Sequence, residues 1–303
     1  MHVIKKINGR SKLLFFELFQ KKVLIKELTT KSFNNSKIFI FFTMDLEYSP
    51  KYTKNDSYEG FKDYQEILKK NKIPSTFFVC GDFALDHKED IIDLVKAGNE
   101  VGSHGYGHTN LGPDIWWKKH FLASVNIETR KKSIMKNHEI LSKILKKRPI
   151  SFRTPYLSID NATLNILSEA GYKIDSSVNN PLLGMPTIPY NPSRDNILKI
   201  GRNDIIEFPI TCSLSRNLKF KPLNLDYDRI TFFNSNDLSK NIKIIDENKK
   251  FSPYIVILTH PWEFSDDFKS GAVERLRLLS KFISVLKRKF DVNFLKIENI
   301  RSS

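Results

Sequence analysis

The sequence is poor in cysteine: Cys80 and Cys212 stand alone in 303 residues. Far apart and in dissimilar contexts, they exclude a disulfide framework and a thiolate metal centre. They fit a reducing compartment, so the chain reads as cytoplasmic. Long apolar runs are also missing. Nothing approaches the roughly 18 residues of a membrane span, and the basic amino-terminal stretch lacks the apolar run and small residues of a secretory leader. Acids are the scarcer charge, 34 against 49 Lys and Arg, for a net charge of +15. Such an excess would suit an anionic partner. The lysines are spread from end to end with no nucleic-acid-binding motif beside them, so no nucleic acid partner is expected.

What is plentiful is apolar. Hydrophobic residues make up 40% of the chain, with 23 Phe, enough for the core of one large α/β domain. Residues 1–36 read as a basic lead-in closed by the polar cluster Lys31 to Lys37, and the main domain is expected over 37–303. Inside the lead-in, Leu13 to Phe19 with Lys12, Lys21 and Lys22 around it has the amphipathic character of a segment able to make peripheral contact with an anionic membrane surface.

From Ile38 the elements alternate. Ile38 to Met44 reads as a strand buried on both faces, running into Asp45 and Glu47. Helices follow near Tyr58 to Lys70 and Lys88 to Ala97, with strands at Ser75 to Cys80 and from Glu100. A helix over Val125 to Lys147 carries a stripe of Ile127, Ile134, Ile140, Leu141 and Ile144. Strands are expected at Pro149 to Arg153, Tyr172 to Asp175, Ile205 to Ile210, Tyr254 to Thr259 and Phe294 to Ile297. Helices are expected at Ala162 to Ala170, Asn236 to Asn248 and Val273 to Lys289. Asn180 to Ser193, broken by Pro181, Pro186, Pro189 and Pro192, reads as a long connecting loop. Alternation throughout favours a single barrel-like α/β domain.

Polar residues collect at the ends of the expected strands, where parallel sheets carry their chemistry. Gly102 to His108 places His104 and His108 four residues apart beside glycines, a spacing that can bring two imidazoles onto one metal ion. Asp45 and Glu47 share one side of an extended strand. Arg153 precedes Thr154, Pro155 and Tyr156, and the proline stiffens that turn. His260 follows a buried strand and precedes Pro261. His87, His120 and His138 have no acidic or histidine neighbours at ligand spacing and read as solvated.

Four of these stretches, Thr-Met-Asp-Leu-Glu, His-Gly-Tyr-Gly-His, Arg-Thr-Pro-Tyr and Leu-Thr-His, in this order and spacing, resemble the polysaccharide deacetylase family, also called the NodB-homology or carbohydrate esterase family 4 enzymes. The resemblance runs from about Lys37 to about Ile297. It implies a distorted (β/α) barrel in one domain and metal-dependent removal of an N-acyl, usually acetyl, group from a sugar. By resemblance His104 and His108 bind one divalent ion, with zinc expected, and Glu47 supplies the carboxylate because Leu46 occupies the place of the family's second aspartate. Asp45 becomes the general base, and the alternative assignment makes Asp45 the metal ligand.

The resemblance further implies that Arg153 orients Asp45, the Tyr156 amide donates to an oxyanion, and His260 is the general acid. Leu258 would line the acyl pocket, Pro155 and Trp262 would border the substrate, and Asp175 would orient His260. Trp116 and Trp117 are further candidates for sugar stacking. The expected partner is an N-acetylated sugar or glycan. Two other readings share the barrel: hydrolysis of a different C–N bond, as in a formamide or cyclic amide, and glycan binding without catalysis.

Overall fold

Strand β1 (Lys37–Leu46) is the one around which the rest assembles. The computed structural model describes residues 37–48, 54–113, 123–180, 186–213, 229–266 and 271–300. The lead-in and its candidate membrane-contact segment lie outside them. Strand β1 alternates as a sheet buried on both sides should. Ile38, Ile40, Phe42, Met44 and Leu46 enter the main core against the helices, while Phe41 enters a second cluster with Phe78, Phe208, Val256 and Leu258. Each such side chain is worth roughly 1.5–3 kcal/mol on burial, so a one-residue slip would turn five of them the wrong way. The same period sets Thr43, Asp45 and Glu47 on the face that Phe41 occupies.

The chain continues through α1 (Lys54–Lys70), β2 (Ser75–Val79), α2 (Gly81–Asp86), α3 (Lys88–Lys96) and β3 (Glu100–Ser103). In α1 the residues Phe61, Tyr64 and Leu68 share the buried face, and Lys69 and Lys70 close its last turn, where cations suit the helix dipole. Next come α4 (Ile127–Leu145), β4 (Ser151–Phe152), α5 (Asn161–Glu169) and β5 (Ile174–Asp175). Asn126 caps α4 by accepting from the Thr129 amide at 2.8 Å, and Asp160 caps α5 through the Thr163 amide at 2.9 Å. Then follow β6 (Asn179–Asn180), β7 (Ile206–Glu207), β8 (Ile210–Thr211), α6 (Asp237–Asn248), β9 (Tyr254–Thr259), α7 (Ala272–Lys289) and β10 (Asp291–Phe294).

Eight strands form one parallel sheet in the order β10-β1-β2-β3-β4-β5-β7, with β9 pairing the other side of β1. Strand β6 pairs with β8 as a separate small unit. The sheet curls into a distorted (β/α) barrel. The small unit closes against β9, where the Val256 amide donates to the hydroxyl of Thr211 in β8 at 2.9 Å.

Three expectations need correction. The strand expected over Ile205 to Ile210 is two short strands, because Pro209 between them cannot donate to a ladder. The last strand is Asp291–Phe294 rather than Phe294 to Ile297, and a 3-10 turn begins at Ile297. The proline-rich connection is not wholly irregular: Asn179–Asn180 is a strand, and Tyr190 exchanges backbone hydrogen bonds of 3.0 and 2.8 Å with Glu207. Proline restricts only its own ring position and the residue before it, so Tyr190 between two prolines stays free to pair.

Candidate active site

Glu47, His104 and His108 converge just past the carboxyl ends of β1 and β3, their ligand atoms all within 4.8 Å of one another. The glycines allow this. Gly105 and Gly107 have φ of 71° and 65°, and His108 itself sits at 47°, so the chain doubles back and returns the second imidazole beside the first. His104 is buried, and its Nδ1 lies 2.8 Å from the Arg153 carbonyl. A carbonyl only accepts, so Nδ1 carries the proton and Nε2 presents a lone pair to the site.

That lone pair lies 3.0 Å from Glu47 Oε2, and His108 Nε2 approaches the same oxygen. Among the described residues, neither His104 Nε2 nor Glu47 Oε2 has a partner in hydrogen-bond geometry. Two buried, unsatisfied electron-pair donors aimed at a common point fit a shared cation, and one carboxylate with two imidazoles is a donor set suited to zinc or a similar ion. Burial pushes the Glu47 carboxyl up, but His108 and His104 more than reverse this and hold it well below the usual carboxylate range.

Asp45 lies one step deeper. Arg153, fully buried, donates from Nη1 to Asp45 Oδ1 at 2.8 Å and to the Thr43 hydroxyl at 2.8 Å. Asp45 Oδ2 is left facing the site, 3.9 Å from His104 Nε2 and 4.0 Å from His260 Nε2. One residue thus grips both halves of the constellation, its side chain holding Asp45 and its carbonyl holding His104. The turn after it is strained. Thr154 is extended, Pro155 is buried, and Tyr156 takes the left-handed conformation at φ 60°, unusual for a residue with a side chain. The Tyr156 ring packs on His108 with centroids 4.2 Å apart.

His260 follows β9 on the same rim, since β9 runs parallel to β1, and it stacks on Trp262 at 4.5 Å. Its Nδ1 lies 2.9 Å from Glu263 Oε1, and Glu263 also pairs with Arg229. Burial pushes the Glu263 carboxyl up, and Arg229, followed by His260, brings it below its ordinary value. Glu263 therefore accepts the Nδ1 proton, leaving Nε2 to face Asp45. Leu258 is buried in the barrel interior two residues before His260.

Asp175 does not orient His260. Its Oδ1 accepts from Ser177 at 2.7 Å and its strand pairs it with Glu207. The family resemblance points to a distant aspartate, whereas Glu263 in the turn after His260 reaches the imidazole. The Trp-Glu pair after His260-Pro261 was the available signal, since a 3-10 turn brings i and i+3 together. His138 and His87 are not solvated either: His138 is buried edge-on to Tyr172, and His87 stacks on Tyr58 at 4.5 Å. Trp116, Trp117 and His120 lie outside the described residues.

The family model for polysaccharide deacetylase matches residues 36–174. A peptidoglycan deacetylase of Helicobacter pylori is 26% identical over 119 residues, 39% of this chain and 37% of that protein. A peptidoglycan-N-acetylmuramic acid deacetylase of Bacillus subtilis is 33% identical over 96 residues, 32% of this chain and 18% of that protein. The matched stretch thus spans less than two fifths of these relatives. Among solved structures, one titled as an allantoinase superposes with a TM-score of 0.61 at 16% identity, covering 87% of this chain and 88% of its own. A carbohydrate esterase family 4 pseudoenzyme of Bacillus anthracis gives 0.51 at 16%, covering 87% and 65%. These likenesses establish the barrel; a fold shared by such different titles does not choose the reaction.

Proposed function

Residues 36–174 match the family model for polysaccharide deacetylase, and from that match we propose that the chain is a metal-dependent hydrolase removing an N-acetyl group from an amino sugar of a glycan or glycan precursor. The observation that carries this is the Asp45 carboxylate, fixed by Arg153 on one oxygen and facing His104 and His260 with the other. Glu47, His104 and His108 would hold one divalent cation, with zinc proposed. A cation bound there supplies an acidified water and polarises an amide carbonyl.

The chain's own residues do the rest. Asp45 Oδ2 takes the proton of the attacking water, and its fixed partner on Oδ1 keeps the accepting oxygen aimed. The Tyr156 amide, presented by a strained backbone, donates to the developing oxyanion. His260 Nε2 delivers a proton to the departing amine, a poor leaving group without one. Glu263 positions that imidazole and stabilises it when charged, the part a carboxylate plays behind a catalytic histidine elsewhere. Trp262 and Leu258 border the sugar and the acyl methyl. A reducing, cytoplasmic setting is part of the proposal, supported by two cysteines that are both buried and unlinked.

The test is acetate release from N-acetylated amino-sugar oligomers by zinc-loaded protein, with formate release from N-formyl analogues alongside. Acetate production that stops on chelation and returns with zinc is the expected result. Formate alone would move the reaction to another C–N bond. Neither product from protein shown to carry its ion would overturn the hydrolytic reading.

A further inference from the structure

Asp175 and Glu207 stand in register on neighbouring strands, and neither is exposed to solvent. One oxygen of each is committed: the Ser177 hydroxyl donates to Asp175 Oδ1 at 2.7 Å, and the Val178 amide donates to Glu207 Oε1 at 3.0 Å. The remaining oxygens, Asp175 Oδ2 and Glu207 Oε2, are buried with no hydrogen-bond partner among the described residues. Two adjacent carboxylates cannot both stay charged here. Their repulsion alone is about 4 kcal/mol at 4 Å and an effective dielectric of 20, before either pays its desolvation cost. A single proton between them satisfies both orphan oxygens with one charge-assisted O–H···O bond. Burial pushes both carboxyls above their ordinary values, and the Asp175 charge lifts Glu207 further, the direction expected of a pair that holds one proton between them. Among the described residues, the other charged or titratable groups facing the pair are Arg153 and Tyr190, and the Tyr190 hydroxyl is committed to the Ile197 carbonyl at 2.8 Å.

The charge that remains reaches the active site through Ser177, and the adjacent Ser176, its hydroxyl donating to the Phe208 carbonyl at 2.8 Å, holds Arg153. Having donated to Asp175, the Ser177 oxygen accepts the Thr154 amide at 2.8 Å, and a hydroxyl polarised by an anion is the better acceptor. Ser176 accepts Arg153 Nε on its carbonyl at 2.8 Å and Arg153 Nη2 on its hydroxyl at 2.9 Å. We propose that Asp175 and Glu207 share one proton and form a positioning pair, which locks the Ser176–Ser177 strip onto Arg153 and Thr154 and so fixes Asp45 and His104. The catalytic half of this rests on the deacetylase reading; the proton count does not.

Infrared spectroscopy of the full chain tests the count. Wild type should show the carbonyl stretch of a buried protonated carboxyl that Glu207→Gln removes and Glu100→Gln, the control for another buried acid, leaves. Amide variants test the positioning. Asp175→Asn or Glu207→Gln alone supplies an N–H in place of the shared proton, so each should keep kcat within about threefold. Together they remove the charge and set two amides face to face, and the pair should be non-additive: kcat down at least about tenfold, KM within about twofold, and a Tm loss greater than the two singles combined. Absence of the Glu207-dependent band overturns the shared proton. Additive effects of the two amides on both Tm and kcat overturn the positioning role. If wild type proves inactive on every sugar, the band and the non-additive Tm still decide the pair, so its fate and that of the deacetylase reading are told apart.

Discussion

Replacing Asp45 by Asn and Glu47 by Ala separates two jobs that β1 carries on one face. Glu47→Ala should empty the site of its ion by elemental analysis, because it removes the oxygen both histidines approach. Asp45→Asn should keep the ion and lose turnover by about a hundredfold to ten-thousandfold, the usual cost of a missing general base. An Asp45→Asn protein without metal beside a Glu47→Ala protein with metal and full activity would exchange the two roles. Tyr156 carries a different kind of test, since backbone rather than phenol is its proposed contribution. Tyr156→Phe should leave kcat within about threefold. Tyr156→Gly keeps the amide and relieves a left-handed conformation worth about 1–2 kcal/mol, against the lost packing on His108. A loss beyond about a hundredfold in Tyr156→Phe would place the phenol, not the amide, in the chemistry. At this scale the sequence was informative where a role follows from spacing: Asp45 with Glu47 across one residue, His104 with His108 across a glycine-hinged loop. It misleads where a role comes by resemblance alone: the resemblance points His260 to the distant Asp175, while the 3-10 turn Pro261–Phe264 sets Glu263 against the imidazole three residues on.

Arg130 shows what a single buried cation does for the packing of elements. From α4 it donates to Asp160 Oδ2 at 2.7 Å, to the Thr163 hydroxyl at 3.1 Å and to the Gly112 carbonyl at 3.1 Å, tying the cap of α5 to the loop that follows the metal histidines. Arg130→Ala should cost about 3 kcal/mol in urea unfolding, the low end for a broken buried pair because a third of Asp160 remains exposed. Burial raises the Asp160 carboxyl, Arg130 and the Thr163 amide outweigh that, and the net is a lowered value. With a depressed folded value, the contribution is complete above the usual aspartate range and fades as pH falls through the folded one. The wild-type advantage over Arg130→Ala should therefore shrink in acid, and an advantage that grew there would sink the assignment. The elements themselves were legible when long and periodic, as in α4, α7 and β1. Two-residue strands such as β4 and β7 have no period to read, and β10 hid because Asp291 and Asn293 break the apolar pattern while the neighbouring strand supplies the pairing.

For the molecule as a whole, an ion that binds only the folded barrel must raise its stability by mass action. Zinc at a hundred times its dissociation constant should add about 2.7 kcal/mol, several degrees in Tm for a domain of this size, and chelator should remove the gain. His104→Ala should show no such shift; an equal shift in that variant would move the binding site elsewhere. The barrel class was readable from alternation and from strand-end polar residues, but its closure was not, because closure joins segments that only the folded chain brings together. Strand β1 pairs with β2 nearby, yet its other edge waits for β9, and the Thr259 hydroxyl bonds to a carbonyl 216 residues earlier, at Thr43. A ribosome adding about 5–20 residues per second needs about ten to forty seconds to cover that distance. Through that interval the nascent chain carries an unpaired, phenylalanine-rich strand edge. Ribosome-arrested chains ending before Tyr254 should therefore bind chaperone or aggregate, and release from both should coincide with the emergence of β9.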